Sequence, residues 1–289
     1  MAWFINWDVN PEIMQIGNFS LRWYSLLFAA GFFIGYLIVK SFFKNEKAPL
    51  EWLDSLLIYI VVATILGARL GHCLFYDWAY FSQHPLEILL PVKFEPEFRF
   101  TGFQGLASHG GAIGIIIALW LWTRRISKVP VLWVMDRIVV PTALAGAFIR
   151  LGNLMNSEII GKQTESSVGF VFKQLGEDFA RHPVQLYESV SYFIIFILLY
   201  FLYWRTDMRN QLGRLFGIFM LTVFGMRFIL EYFKDSQGGF ESALGIFSTG
   251  QWLSIPFILI GLFFLLRPAK VYVYEAEKKT NLVKAKVKK

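Results

Sequence analysis

Seven apolar runs, at about 20–41, 52–76, 109–123, 131–153, 185–204, 213–233 and 249–266, constrain this chain more than any other feature. A helix needs roughly 20 apolar residues to cross the hydrocarbon core of a bilayer. Within that core each backbone polar group must find its partner inside the protein, which a helix does by itself. The expected fold class is therefore an all-α integral membrane protein with seven transmembrane helices. The third run is short and opens on glycines. Composition agrees: 56% of the residues are hydrophobic and only 17% are charged, against roughly a quarter charged in soluble domains. The formal charge of +7 does not point to nucleic acid, because the basic residues sit between the apolar runs and in the tail. The single cysteine, Cys73, excludes an internal disulfide and a cysteine-based metal cluster. Residues 1–8 lack a basic stretch before an apolar core, so no cleavable signal peptide is expected.

The connecting segments complete a single polytopic domain over 1–269. Residues 1–19, with the turn signal Gly17-Asn18, read as a small extended cap. Residues 77–108 carry Pro85, Pro91 and Pro96 among apolar neighbours and read as an interfacial arm. Residues 154–184 mix Gly, Ser, Lys and Glu and read as a small extracytoplasmic head. Residues 270–289 form a basic cytoplasmic tail. No internal repeat is visible, which speaks against an inverted-repeat transporter.

Charge orients the bundle. Lys40, Lys44 and Lys47 follow the first run, and Arg124, Arg125 and Lys128 follow the third. Arg205, Arg209 and Arg214 lie between the fifth and sixth, and Arg267 and Lys270 follow the last. Alternating crossings put all four groups on one side, which the positive-inside rule makes cytoplasmic. The N-terminus is then outside and the C-terminus inside.

That topology gathers polar residues at the outer ends of the spans. Tyr24 opens the first, and Arg69 and His72 close the second. His109 opens the third beside Gly110, Gly111 and Gly114. Arg150, Asn153, Asn156 and Glu158 close the fourth, followed by Gly161. Glu188 lies near the start of the fifth, Arg227 and Glu231 close the sixth, and Ser248 and Gln251 open the seventh. Polar groups at membrane depth mark sites or pathways more often than they occur by accident. Structural readings stand beside this one. Arg150 can snorkel into headgroups. Arg227 and Glu231, four residues apart on one helical face, can pair with each other. Gly114 suits close helix packing, Arg69 and His72 can anchor at the interface, and Ser248 can cap its helix. Two arginines in a partly desolvated site suit a lipid phosphate. No metal-ligand spacing and no Gly-x-Ser-x-Gly elbow is present, so no cofactor is expected and the nucleophile arrives with the substrate. A phospholipid or anion transporter with an outward-facing arginine site is the alternative. An intramembrane protease is a weaker one, since no Ser–His or paired-Asp arrangement lies at span depth.

Five ordered motifs carry a resemblance. They are His109-Gly-Gly-x-Ile-Gly, Arg150-x-Gly-Asn-x-x-Asn-x-Glu158, His182-Pro-x-Gln-Leu-Tyr-Glu188, Arg227-x-x-x-Glu231 and Ser248-x-Gly-Gln251. Together they resemble bacterial prolipoprotein diacylglyceryl transferases over nearly the whole chain. The resemblance implies a seven-span inner-membrane enzyme. It would move a diacylglyceryl group from phosphatidylglycerol to the lipobox cysteine of a preprolipoprotein, forming a thioether and releasing glycerol-1-phosphate. It places Arg150 and Arg227 on the family's essential arginines and His109 on its histidine. It ties Tyr24, Asn153, Glu158, Gly161 and Glu231 to lipid binding or activity, and Asn156, Glu188 and Gln251 lie within the same motifs. Val223 departs from the pattern, since family members often have a tyrosine four residues before the second arginine. The partners implied are phosphatidylglycerol, the lipobox segment and membrane lipids.

Overall fold

The structure is a computed structural model, and it describes residues 4–16, 19–90, 92–94, 98–100, 105–235 and 246–275. The turn signal Gly17-Asn18, Pro91, Pro96 and the tail beyond residue 275 lie outside the described residues. The chain forms two compact units, Met1–Phe42 with Met135–Val273, and Phe43–Val134 with Tyr274–Lys289.

Helices dominate, as the apolar runs require. In chain order they are α1 (Trp23–Asn45), α2 (Glu51–Phe75), the single turns α3 (Trp78–Phe81) and α4 (Leu86–Leu89), α5 (Ser108–Trp122), α6 (Val131–Met155), α7 (Val184–Arg205), α8 (Arg214–Leu230) and α9 (Thr249–Leu266). Among the described residues six are long and apolar enough to cross a membrane: α1, α2, α6, α7, α9, and α8 with its 3-10 extension to Phe233. Many of their Leu, Ile and Phe side chains, such as Phe33, Ile58, Ile194 and Leu259, face outward. Exposure on that scale would be a liability in water and fits hydrocarbon. The third expected run differs. Its α-helix has 15 residues and passes into a π-helical turn, Thr123–Ser127. Lys128, with φ 59°, donates its N–H back to the Thr123 carbonyl and closes the turn.

The first unit is built on α6. Half of its most apolar window is buried, against 22–33% for the other five spans. Val139, Val140, Ala143 and Ala147 of α6 pack with Tyr192, Ile195 and Leu199 of α7 and with Leu215 and Phe216 of α8. At one end of this bundle the buried Asp136 carboxylate accepts from the backbone N–H groups of Gly213 (2.7 Å) and Phe216 (2.9 Å). Those are donors that an α-helix leaves unpaired in its first turn, so one residue of α6 fixes the start of α8. The opposite end gathers the last turns of α6 and α8 with the first turns of α1, α7 and α9. Small β elements cover it. Strand β1 (Ile5–Trp7) runs parallel to a strand at Phe170–Phe172, and β2 (Glu12–Ile16) pairs antiparallel with β3 (Phe19–Arg22). Trp7 donates from Nε1 to the Leu154 carbonyl (3.0 Å) and packs with Phe170 and Phe172 over Leu154.

In the second unit α2 and α5 meet through glycines. A Cβ built on Gly110 would lie 2.2 Å from the Gly67 carbonyl oxygen, and one on Gly114 would lie 2.5 Å from that of Ala63. Only glycine lets the two backbones approach this closely. The arm holds α3, α4 and a two-stranded ribbon, Val92–Lys93 against Arg99–Phe100. Arg69 is no interfacial anchor. It is buried, donates to the carbonyls of Glu87 (2.6 Å) and Ile88 (3.1 Å), and lies over the Phe81 ring. The Glu87 carboxylate in turn accepts from the Phe94 amide and the Tyr80 hydroxyl. The amide contact comes first among the causes that hold its pKa below the usual carboxylate range.

Candidate active site

The polar end of the first unit contains most of the residues singled out in the sequence. α6 delivers Arg150 and Asn153 one turn apart on one face. Arg150 Nε is 2.8 Å from Glu188 Oε2 on α7. Its Nη1 reaches the Asn153 side-chain oxygen at 3.4 Å. Asn153 and Asn156 both donate to the Glu158 carboxylate, at 3.1 and 3.2 Å. Past α6 the backbone turns sharply, and Ser157 (φ 52°) and Ile159 (φ 56°) flank Glu158 in the left-handed region. For a β-branched residue this conformation costs about 1–3 kcal/mol. It is held by Glu158 N–H donating to the Asn153 carbonyl and by Gln185 donating to the Glu158 carbonyl at 2.6 Å. The strain turns the Glu158 side chain back toward the two amides.

Tyr24 lies against Gly152, where an added Cβ would come within 2.7 Å of its ring. Gln251 closes a capping box with Ser248 at the start of α9 and donates to the Phe228 carbonyl at 3.2 Å. It thus ties α9 to the end of α8. Gly161 sits where chains cross. It donates to the His182 carbonyl, its own carbonyl accepts from Arg181, and it bridges to Lys234. Arg181 also pairs with Glu177 and Asp235. His182 is packed edge-on against Tyr187 and Phe233. Burial pushes its pKa down, which favours a neutral, structural imidazole.

Arg227 and Glu231 do not pair among the described residues. The α-helix ends at Leu230 and a 3-10 turn begins at Glu231, but the Glu231 N–H still donates to the Arg227 carbonyl, so the i,i+4 register holds while the side chains part. Glu231 instead pairs with Lys234 at 3.2 Å. The Arg227 Nε is buried without a hydrogen-bond partner. Tyr192 of α7 is buried at this end of the unit.

Lys234 and Tyr192 were not singled out in the sequence. Lys234 carries a signal only in hindsight, as the second cation in the Arg227, Glu231, Lys234 series. Tyr192 is indistinguishable from a packing aromatic in an apolar run. Among the sequence candidates, His109 belongs to the second unit. It is exposed at the second residue of α5, whose first turn has free N–H groups suited to an anion.

The family model described as prolipoprotein diacylglyceryl transferase matches residues 11–267. Among curated relatives, a phosphatidylglycerol--prolipoprotein diacylglyceryl transferase of Tolumonas auensis is 47% identical, over 91% of this chain and 97% of the relative. One of Bacteroides fragilis is 44% identical over 90% and 94%. One of Chloroherpeton thalassium is 41% identical over 92% and 95%. With a match of this length, over a multi-pass membrane fold, the chain belongs to the prolipoprotein diacylglyceryl transferase family.

Proposed function

We propose that this protein transfers a diacylglyceryl group from phosphatidylglycerol to the thiol of a prolipoprotein cysteine, with Arg150 and Arg227 gripping the lipid phosphate. One observation carries the assignment of the grip. The buried Glu188 is engaged by Arg150 and Lys234, and the partly buried Glu231 by Lys234. The Arg227 guanidinium is left with a buried, unpartnered Nε. A guanidinium with an unpartnered donor in a partly desolvated site suits an anion, and a phosphodiester accepts from guanidinium forks.

The reaction follows from that grip. The lipobox sulfur attacks the glyceryl carbon that bears the phosphate. A carbon–sulfur bond forms, and the carbon–oxygen bond breaks with its electron pair going to the departing glycerol-1-phosphate. The arginines stabilise charge gathering on that oxygen. His109, an exposed imidazole, is proposed as the base for the thiol proton by residue type and by its place in the family motif alone. Tyr24, Asn153, Asn156, Glu158 and Gln251 shape the lipid pocket around Arg150, and Gly161 holds its floor. Val223 supplies no hydroxyl, so the grip on this side is Arg227 alone. We place the enzyme in the inner membrane with seven crossings, α5 and its π turn making the seventh. The N-terminus and the 154–184 head are outside, and the basic loops and tail are inside, with the surrounding lipids as the substrate pool.

Two substitutions test the roles. Arg227→Lys keeps the charge but loses the fork, and is expected to lower kcat/KM for phosphatidylglycerol by at least about 10-fold. His109→Asn is expected to lower kcat by about 100-fold or more, with the loss shrinking as pH rises and the thiolate forms unaided. Full activity of a folded Arg227→Lys enzyme would remove the phosphate grip. A His109→Asn effect independent of pH would make His109 a lipid-orienting residue.

A further inference from the structure

We infer that Lys234 is a positioning residue that keeps Glu231 away from Arg227, so that the Arg227 guanidinium stays open to the substrate phosphate. The inference rests on the phosphate grip proposed above. Lys234 follows the 3-10 turn at the end of α8 and its side chain is only 7% exposed. Its Nζ lies 2.9 Å from Glu188 Oε1, whose side chain is fully buried, and 3.2 Å from Glu231 Oε2. One ammonium thus serves two carboxylates from two helices. The backbone around it is fixed as well. Lys234 bridges to Gly161, Lys162 donates to the Phe233 carbonyl, and Asp235 donates to that of Ile160. The Glu231 carboxylate has a seat of its own beside α9, since a Cβ added to Gly250 would lie 2.3 Å from its carboxyl carbon.

The charges explain why such a device is needed. Arg227 and Glu231 are four residues apart, the spacing at which opposite charges pair on a helix. A carboxylate released into a desolvated site takes the nearest unpaired cation. Arg227, one helical turn before Glu231, offers such a cation, with a buried Nε that has no hydrogen-bond partner among the described residues. Without Lys234, Glu231 occupies the place of the phosphate. A lysine suits the role because its ammonium is a compact point charge that two acceptors can share.

The test compares affinity with turnover in purified, full-length variants. Lys234→Gln is expected to raise KM for phosphatidylglycerol by at least 10-fold while kcat falls by less than 3-fold. Lys234→Arg is expected to stay within 3-fold of wild type. The decisive comparison adds Glu231→Gln. With Glu231 neutral, Lys234 holds only Glu188 and no carboxylate at position 231 competes for Arg227. The double variant Lys234→Gln/Glu231→Gln is therefore expected to match Glu231→Gln alone within 3-fold. The same ratio read in phosphatidylglycerol affinity by native mass spectrometry serves where turnover is too slow to assay, or where Lys234→Gln alone does not fold. A double variant at least 10-fold weaker than Glu231→Gln would overturn the inference, as would wild-type KM in Lys234→Gln. Arg227→Ala, run alongside, separates the two ideas. If it binds phosphatidylglycerol normally, the phosphate grip fails; if it is impaired while Lys234→Gln is normal, only the role of Lys234 fails.

Discussion

Arg150→Ala is expected to abolish turnover, to below about one thousandth of wild type, because in the proposed grip it removes a hydrogen-bond donor to the phosphate that no neighbour can replace. Arg150 also supports the site, since its Nε holds the fully buried Glu188 at 2.8 Å. Removing one partner of a buried pair costs about 3–5 kcal/mol. Lys234 still reaches the other oxygen of Glu188, which puts the loss at or below the lower end. Stability and chemistry are separated by Arg150→Lys. That variant keeps a positive charge for Glu188, so its thermal unfolding in detergent is expected within a few degrees of wild type. Its turnover is expected to fall by at least about 100-fold, because an ammonium lacks the planar fork with which arginine holds a carboxylate on one edge and grips a phosphate on the other. A folded and fully active Arg150→Lys enzyme would reduce Arg150 to a structural cation.

Gly161→Ala is expected to be nearly as damaging, for a steric reason. A Cβ there would stand 2.3 Å from the His182 carbonyl oxygen and 2.7 Å from Val184 Cγ2. The first is backbone and cannot step aside without breaking the Gly161–His182 hydrogen bond. Overpacking costs about 1–3 kcal/mol even where side chains can yield. The strain falls on the crossing that holds Arg181, Lys234 and the start of α7. The expected result is a lower melting temperature together with at least about a 10-fold loss of activity that deepens on warming. Unchanged melting and activity would show that the crossing is loose enough to absorb a methyl group.

The helices were legible because hydrocarbon imposes a length and a composition that single residues cannot disguise. The six long spans fall within a few residues of the apolar runs. The short third run could not be resolved in the same way, since the π turn after Trp122 leaves no compositional mark. Tyr24, Arg150, Asn153, Glu158, Glu188 and Gln251 stand at one end of the first unit because alternating crossings force their helix ends to one level. Local geometry was harder to read. The i,i+4 spacing of Arg227 and Glu231 allowed a pair, and that register is present, but Lys234 takes the Glu231 carboxylate. Arg69 looked like an interfacial anchor because nothing in the sequence announces that the Glu87 and Ile88 carbonyls return to meet it. The parallel pairing of Ile5 with Phe170 joins short strands far apart in the chain, and neither segment alone predicts it.

The central claim is that the arginine site cleaves phosphatidylglycerol and passes its diacylglyceryl group to sulfur. The most direct measurement uses purified protein in detergent, radiolabelled phosphatidylglycerol and a lipobox peptide, with both products quantified. The account predicts a thioether-linked diacylglyceryl peptide and glycerol-1-phosphate in equal amounts. It also predicts no product from a peptide with serine in place of cysteine, whose hydroxyl is far harder to ionise than a thiol of pKa about 8.5. Lipid that is bound or moved across a vesicle membrane, with no glycerol phosphate released and no modified peptide, would contradict it and favour a carrier.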